Sequence, residues 1–235
     1  MSTSRRIVIV GGSRGIGAAV AKAALAEGNW VAVLSRTQPD FEVSQWLSWN
    51  ALSTDTAVFS QIEGPIDGLV YAPGSILLKP FNRFTDADFE QDFRLNVLGA
   101  VRSIRTLLSQ LKQSDSASII LYSTAAARIG MPYHASIATS KAAIEGLGKS
   151  LAAEYAAQKI RVNVLAPSLT NTDLANNLLA TPEKQEASNK RHPIGRYGQP
   201  GDLAALTNFL LSPAAGWITG QIIAVDGGMS GVKLV

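Results

Sequence analysis

Short β-branched runs that end in glycine or small polar residues alternate along this chain with longer stretches whose apolar positions recur every three or four residues. Arg5 to Val10 (RRIVIV), Asn29 to Leu34 (NWVAVL), Ile66 to Tyr71 (IDGLVY), Ser118 to Tyr122, Lys159 to Ala166 and Gln221 to Val225 read as strands, several of them apolar enough to be buried on both faces. Between the second and the fourth of the chain's strands, Thr37 to Asn50 predicts a curtailed helix and then a short third strand, with Trp46 and Trp49 as core aromatics. The helical pattern appears after Gly17, where Ile16, Val20, Ala24 and Leu25 share a face and Gly28 is the stop. A helix is also expected within Ser53 to Glu63. A longer one runs from Phe84 to about Lys112, with Thr85 or Asp86 as N-cap and Phe89, Phe93, Val97, Val101, Ile104, Leu108 and Leu111 as one stripe. Another starts near Ser136 and continues through SLAAEY, and a last one is capped by Gly201-Asp202 and ends near Ser212. This alternation predicts an α/β fold with a mostly parallel sheet of seven strands flanked by helices on both faces. Residues 169–192 are polar and lack a long apolar run, which predicts a mobile substrate lid.

Composition narrows the class. A chain of 235 residues, 46% hydrophobic and 17% charged with mean hydropathy +0.13, can bury a large core, and a single domain over 1–235 is expected. No apolar run approaches the ~20 residues of a membrane helix. The apolar run at Ile7 to Val10 ends in glycines and is too short for a signal peptide. With no cysteine there is no disulfide framework or thiolate metal site, and a cytoplasmic location is the default expectation. The net charge of +3 comes from scattered residues. Charge alone therefore does not separate an anionic cofactor from a nucleic acid, and neither a nucleic-acid nor a membrane partner is expected.

The first strand leads into Gly11-Gly12-Ser13-Arg14-Gly15-Ile16-Gly17 and then a helix. Such a turn is an anion site, because the first amides of a helix lack intrahelical partners and glycines let a pyrophosphate approach the backbone. Just past the second strand, where an NAD-binding protein usually carries Asp or Glu, the chain has Ser35 and Arg36. Arg36 and Arg14 are two guanidiniums suited to the 2′-phosphate of NADP(H). The alternative is a solvated Arg36 with Asp40 reaching the ribose. Asn50, past the third strand, would face the adenine, and Ala72-Pro73-Gly74 closes the fourth. Asn96 lies within the apolar stripe of the long helix, Ser123 and Thr124 put hydroxyls at the end of the fifth strand, Lys141 is on the helix that follows, and Pro167-Ser168 closes the sixth.

VGGSRGIG, LNVLGA around Asn96, YST after the fifth strand, SKAAIEGLGKSLAAEYAAQKIRVNVLAPS, and the final GQPGDLAALTNFLLSPAAGWITGQIIAVDGG together resemble the short-chain dehydrogenase/reductase family, close in layout to the 3-oxoacyl-carrier-protein reductases. The resemblance covers nearly the whole chain. It implies a Rossmann-type doubly wound sheet, a nicotinamide cofactor and commonly a homotetramer. It gives Gly11, Gly15 and Gly17 the part of cofactor glycines, with Ser13, Arg14 and Ile16 between them, and Arg36 that of NADP selector beside Ser35. Asn50 matches the adenine position, and Ala72, Pro73 and Gly74 fall in the segment that is usually Asn-Asn-Ala-Gly. Thr170 and Thr172 match nicotinamide contacts, after Pro167 and with Ser168 in place of the usual glycine. Asn96, Thr124 with its neighbour Ser123, and Lys141 match the catalytic asparagine, serine and lysine.

One position departs. In that family a tyrosine four residues before the lysine protonates the substrate carbonyl, and here that position is Ile137. General acid catalysis contributes typically about 10²–10⁴-fold. Three replacements are open: the phenol of Tyr133, the ring of His134, or reduction of a conjugated C=C in which Thr124 and Lys141 hold the carbonyl and water supplies the proton. The apolar Ile137 predicts a small hydrophobic substrate. A protein that binds NADP(H) as a sensor or partner without turnover is the other expectation.

Overall fold

The computed structural model describes residues 4–233. Seven strands form one all-parallel sheet: β1 (Arg6–Val10), β2 (Trp30–Ser35), β3 (Gln45–Ser48), β4 (Gly68–Tyr71), β5 (Ala117–Tyr122), β6 (Ile160–Pro167) and β7 (Ile222–Val225). Their order across the sheet is β3-β2-β1-β4-β5-β6-β7, so the chain reverses its direction of winding beside β1. In open α/β sheets such a reversal opens a crevice at the carboxyl ends of the strands.

Seven α-helices cover the sheet among the described residues: α1 (Gly15–Ala26), α2 (Asp86–Phe93), α3 (Gly99–Leu111), α4 (Ala126–Ile129), α5 (Ala135–Tyr155), α6 (Pro182–Arg191) and α7 (Pro200–Leu211). The pleat of β1 divides the core. Val8 and Val10 join the cluster containing Ile104, Leu107 and Ile144 of α3 and α5, whereas Ile7 and Ile9 join Val20, Ala24, Leu203 and Leu210 of α1 and α7. Full burial on both sides is why the strands read as unbroken apolar runs.

The helices depart from expectation at several places. No helix forms between β2 and β3: Pro39 interrupts residues 36–44, and Ser44 turns its oxygen to the amide of Val31, 2.9 Å away. Within Ser53 to Glu63 only a 3₁₀ turn, Ala57–Gln61, appears, because Ser53 and Asp55 accept from the amides of Asp55 and Ala57 and so favour turns over a helix.

The long helix is divided. Thr85 caps α2 in a reciprocal capping box with Asp88, but Arg94–Leu98 is a π-helical segment before α3 resumes at Gly99. The cause is Tyr71 at the end of β4, whose hydroxyl donates to the Leu95 carbonyl at 2.6 Å, where the helix would otherwise receive the amide of Gly99. Only glycine admits this wedge, since a Cβ on residue 99 would overlap the Tyr71 oxygen. The wedge matters for the site because it lies beside Asn96.

The last helix starts at Pro200, one residue before the expected cap, with Gln199 and Asp202 closing its first turn. Residues 169–192 are not featureless: they hold a 3₁₀ helix, Asp173–Leu178, and α6, capped by Thr181. Among the described residues no helix is long and apolar enough to cross a membrane.

Candidate active site

At the carboxyl end of β1 the chain turns through Gly11 (φ +78°) and Gly15 (φ +55°) into α1. Gly17 packs so closely on the Gly11 carbonyl that a Cβ would overlap it. No side chain caps α1 and its first turn has no acidic residue, so its leading amides keep a positive field facing the crevice. Ser13 Oγ lies 3.4 Å from Thr37 Oγ1, which brings the glycine turn beside the loop holding Arg36. Arg14 and Arg36 are exposed, and among the described residues neither forms an ion pair. Asp40 instead lies 3.8 Å from Lys22.

The other predicted cofactor residues divide into two groups. Ile16, Ala72, Gly74, Pro167, Ser168, Thr170 and Thr172 line one cavity of 280 Å³ together with Thr124 and Lys141. Pro73 packs on Gly11, and Thr172 on Gly15, which joins the glycine turn to that cavity. Ser35 and Asn50 lie outside its wall and are engaged locally. The Ser35 hydroxyl donates to the Thr37 carbonyl at 2.8 Å and accepts from Trp46 Nε1, while Asn50 Oδ1 closes a turn to the Leu52 amide.

Lys141 is part of the cavity wall, and Asn96 lies near it beside Gly74. Lys141 is buried and donates to the Tyr122 carbonyl at 2.9 Å. Burial brings its pKa down to about 8, opposed by the negative charge of Asp92. Asn96 Nδ2 donates to Ser75 Oγ (3.1 Å) and to the Asp92 carbonyl (2.8 Å), while Asn96 Oδ1 is buried without a partner. A Cβ built on Gly74 would lie 3.6 Å from Lys141 Nζ and 3.7 Å from Asn96 Oδ1, so the absence of a side chain there leaves an open polar cradle between them. An orphaned acceptor, an ammonium and an uncapped helix end in one crevice fit the hydroxyls, amide and phosphates of a dinucleotide.

The two hydroxyls after β5 differ. Ser123 Oγ is tied to the Lys141 carbonyl (3.2 Å) and to Glu145 (2.8 Å), and Glu145 is held in turn by Arg128. Thr124 faces the cavity with only a 3.4 Å contact from the Ala126 amide. Ile137 is 5% exposed and forms part of the wall. His134 also lines it, with Nδ1 2.7 Å from the Pro132 carbonyl. The structure places Tyr133 elsewhere: it is 57% exposed, sits at φ +70° in the turn before α5, and is not part of the wall.

Several residues were not found from sequence. Asp92 and Ser136 form a buried polar cluster behind Ser75 of the cavity wall, and His192 links Ser188 of α6 to Ser168 through contacts of 2.7 and 2.8 Å. The only available signal for Asp92 was its place one turn before Asn96, on the same helix face.

A family profile described as "Enoyl-(Acyl carrier protein) reductase" matches residues 10–230. The chain belongs to the short-chain dehydrogenase/reductase family. It is 32% identical over 253 aligned residues to "2-(S)-hydroxypropyl-CoM dehydrogenase 3" of Xanthobacter autotrophicus, covering 96% of each chain. It is 34% identical over 173 residues to "Inactive 2-(S)-hydroxypropyl-CoM dehydrogenase 2" of the same organism, covering 72% of this chain and 75% of the relative. Among solved structures, the ligand-free aldohexose dehydrogenase of Thermoplasma acidophilum superposes with a TM-score of 0.90 at 27% identity, over 99% of this chain and 96% of the other. The all-parallel seven-stranded sheet is therefore the fold of this reductase family.

Proposed function

We propose that this short-chain dehydrogenase/reductase uses NADP(H) to interconvert a carbonyl and an alcohol, or to reduce a conjugated C=C, on a small hydrophobic substrate, with no tyrosine as acid. The carrying observation is one cavity lined by Thr124, Lys141 and Ile137, the last at the position where the resemblance expects a phenol, with Asn96 packed beside Gly74 of its wall. The glycine turn and α1 would hold the pyrophosphate, Arg14 and Arg36 the 2′-phosphate, and Lys141 the nicotinamide ribose. When bound there, the nicotinamide would supply or take the hydride. Thr124 and Lys141 hold the substrate oxygen and spread the charge that develops there. Ile76, Leu78, Met131, Ile137, Leu174 and Leu178 enclose its apolar part.

Ile137 also favours a second reading, a cofactor-binding protein without turnover, and one relative carries the word inactive in its name. NADPH oxidation over a panel of ketones and enones, by the natural protein and by Ile137→Tyr, separates the two. Turnover by the natural protein supports the oxidoreductase. Tight NADPH binding with turnover only in Ile137→Tyr supports the binding protein.

A further inference from the structure

Asp92 is 3% exposed, and both of its carboxylate oxygens accept from serines, Oδ1 from Ser75 and Oδ2 from Ser136, each at 2.6 Å. Among the described residues it has no ion-pair partner at contact distance. A carboxylate buried behind neutral hydroxyls is costly in a helix seam that an apolar side chain could fill. Its position is informative. Ser136 immediately precedes Ile137, and Ser75 forms part of the cavity wall that Ile137 also lines. The Ser75 hydrogen points at Asp92, and one of its lone pairs receives Asn96 Nδ2. The second lone pair is available to the cavity.

We propose that Ser75 and Asp92 form the proton path of this cavity, Ser75 touching the substrate oxygen and Asp92 storing the proton behind it. The inference rests on the oxidoreductase reading. In alcohol oxidation the substrate O–H bond breaks and its proton passes to Ser75 Oγ, while the Ser75 proton passes to Asp92 Oδ1. The C=O bond forms as the carbon gives its hydride to the nicotinamide oxidant. In reduction the carboxylic acid of Asp92 returns the proton by the same route. Asn96 positions Ser75, so its side chain has work besides contact with a cofactor. The ionisable groups around Asp92 are Lys141 on α5, whose ammonium its charge favours, and the Asp88–Lys79 ion pair, in which Asp88 lies one turn earlier on α2.

The test compares the natural protein with Asp92→Asn, Ser75→Ala and Ser75→Thr. NADP⁺ affinity is followed by fluorescence, and oxidation of isopropanol, cyclohexanol and longer secondary alcohols is followed across pH. Asp92→Asn keeps the size of the site and one acceptor oxygen, turns the other contact into a donor, and cannot take a proton. Both Asp92→Asn and Ser75→Ala are expected to lose at least about 100-fold in kcat with NADP⁺ affinity and KM within about threefold, and Ser75→Thr to recover most of it. A readout independent of turnover is the ¹³C shift of the Asp92 carboxyl in the cofactor-free protein, assigned by its absence from Asp92→Asn. Its titration midpoint should match the acidic limb of the natural protein's kcat/KM profile for NADP⁺, which reports the free enzyme, and that limb should vanish in Asp92→Asn. If Asp92→Asn keeps kcat within about threefold or retains the limb, Asp92 is structural and the path is wrong. If the natural protein binds NADP⁺ yet oxidises none of the alcohols, the carbonyl–alcohol form of the proposed function falls and the path falls with it.

Discussion

Replacing Lys141 by methionine removes a buried charge while keeping most of the side-chain volume. Desolvation lowers the Lys141 pKa from 10.5 to about 8, against the opposing pull of Asp92. Through proton linkage that drop corresponds to about 3 kcal/mol as an order of magnitude. The sign follows from where the proton sits. Between pH 8 and 10.5 the unfolded chain still holds a proton that folded Lys141 has released, so this residue makes stability rise with pH across that window. Below it the folded state bears the whole cost of burying the ammonium, and above it none. The methionine variant lacks both the cost and its pH dependence. It also loses the bond from Nζ to the Tyr122 carbonyl, so its absolute stability is not simply higher. That loss changes little with pH above the window's lower edge and largely cancels from the slope. Urea unfolding followed by tryptophan fluorescence at pH 7, 8, 9 and 10 should show the variant's stability relative to the natural protein falling by about 2 kcal/mol over the series. A constant difference would refute the claim that burial disfavours the charge on Lys141.

Arg36→Asp should raise the Kd for NADPH at least about tenfold and leave NADH nearly unaffected, because the lost pairing is with the 2′-phosphate; equal effects on both would remove Arg36 from cofactor selection. Gly99→Ala should destabilise the fold by about 2 kcal/mol, and Tyr71→Phe in the same chain should return part of that loss, since the clash is with the tyrosine oxygen. Additive effects in the double mutant would rule out the wedge as the cause of the π segment. Tyr133→Gly should stabilise the protein by roughly 1 kcal/mol in thermal or urea unfolding, by relieving the positive φ, and leave turnover unchanged.

The parallel sheet was legible because most of its strands, β1, β2, β4 and β5 above all, are apolar on both faces and end in or are followed by glycine or small residues. The glycine turn could be located for the same reason, since it lies at the end of β1, whereas Asn96, Thr124 and Lys141 were singled out by the resemblance of their surrounding motifs to the family. What escaped depends on distant contacts. The division between α2 and α3 is caused by Tyr71, from a different element, and no local propensity at Arg94 to Leu98 announces it. Asp92 reads in sequence as one more acid on a helix carrying Asp86, Asp88 and Glu90, and only the packing of α2 on α5 buries it against Ser136. The connection 37–44 differs in kind, since Pro39 lies in the sequence itself and is enough to stop a helix in so short a stretch. Tyr133 shows that four-residue spacing places a side chain on a helix face only when the helix has begun, and α5 begins after it.

The most direct test of the account follows the hydride itself. The natural protein is incubated with NADPH deuterated at the transferable C4 position and a mixture of hydrophobic ketones and enones, and the products are read by mass spectrometry and NMR. The account predicts deuterium in a product, at the carbinol carbon for carbonyl reduction or at the carbon β to the carbonyl for enone reduction. Saturating NADPH binding with no deuterium in any product would contradict it and leave a protein that holds the cofactor without using it.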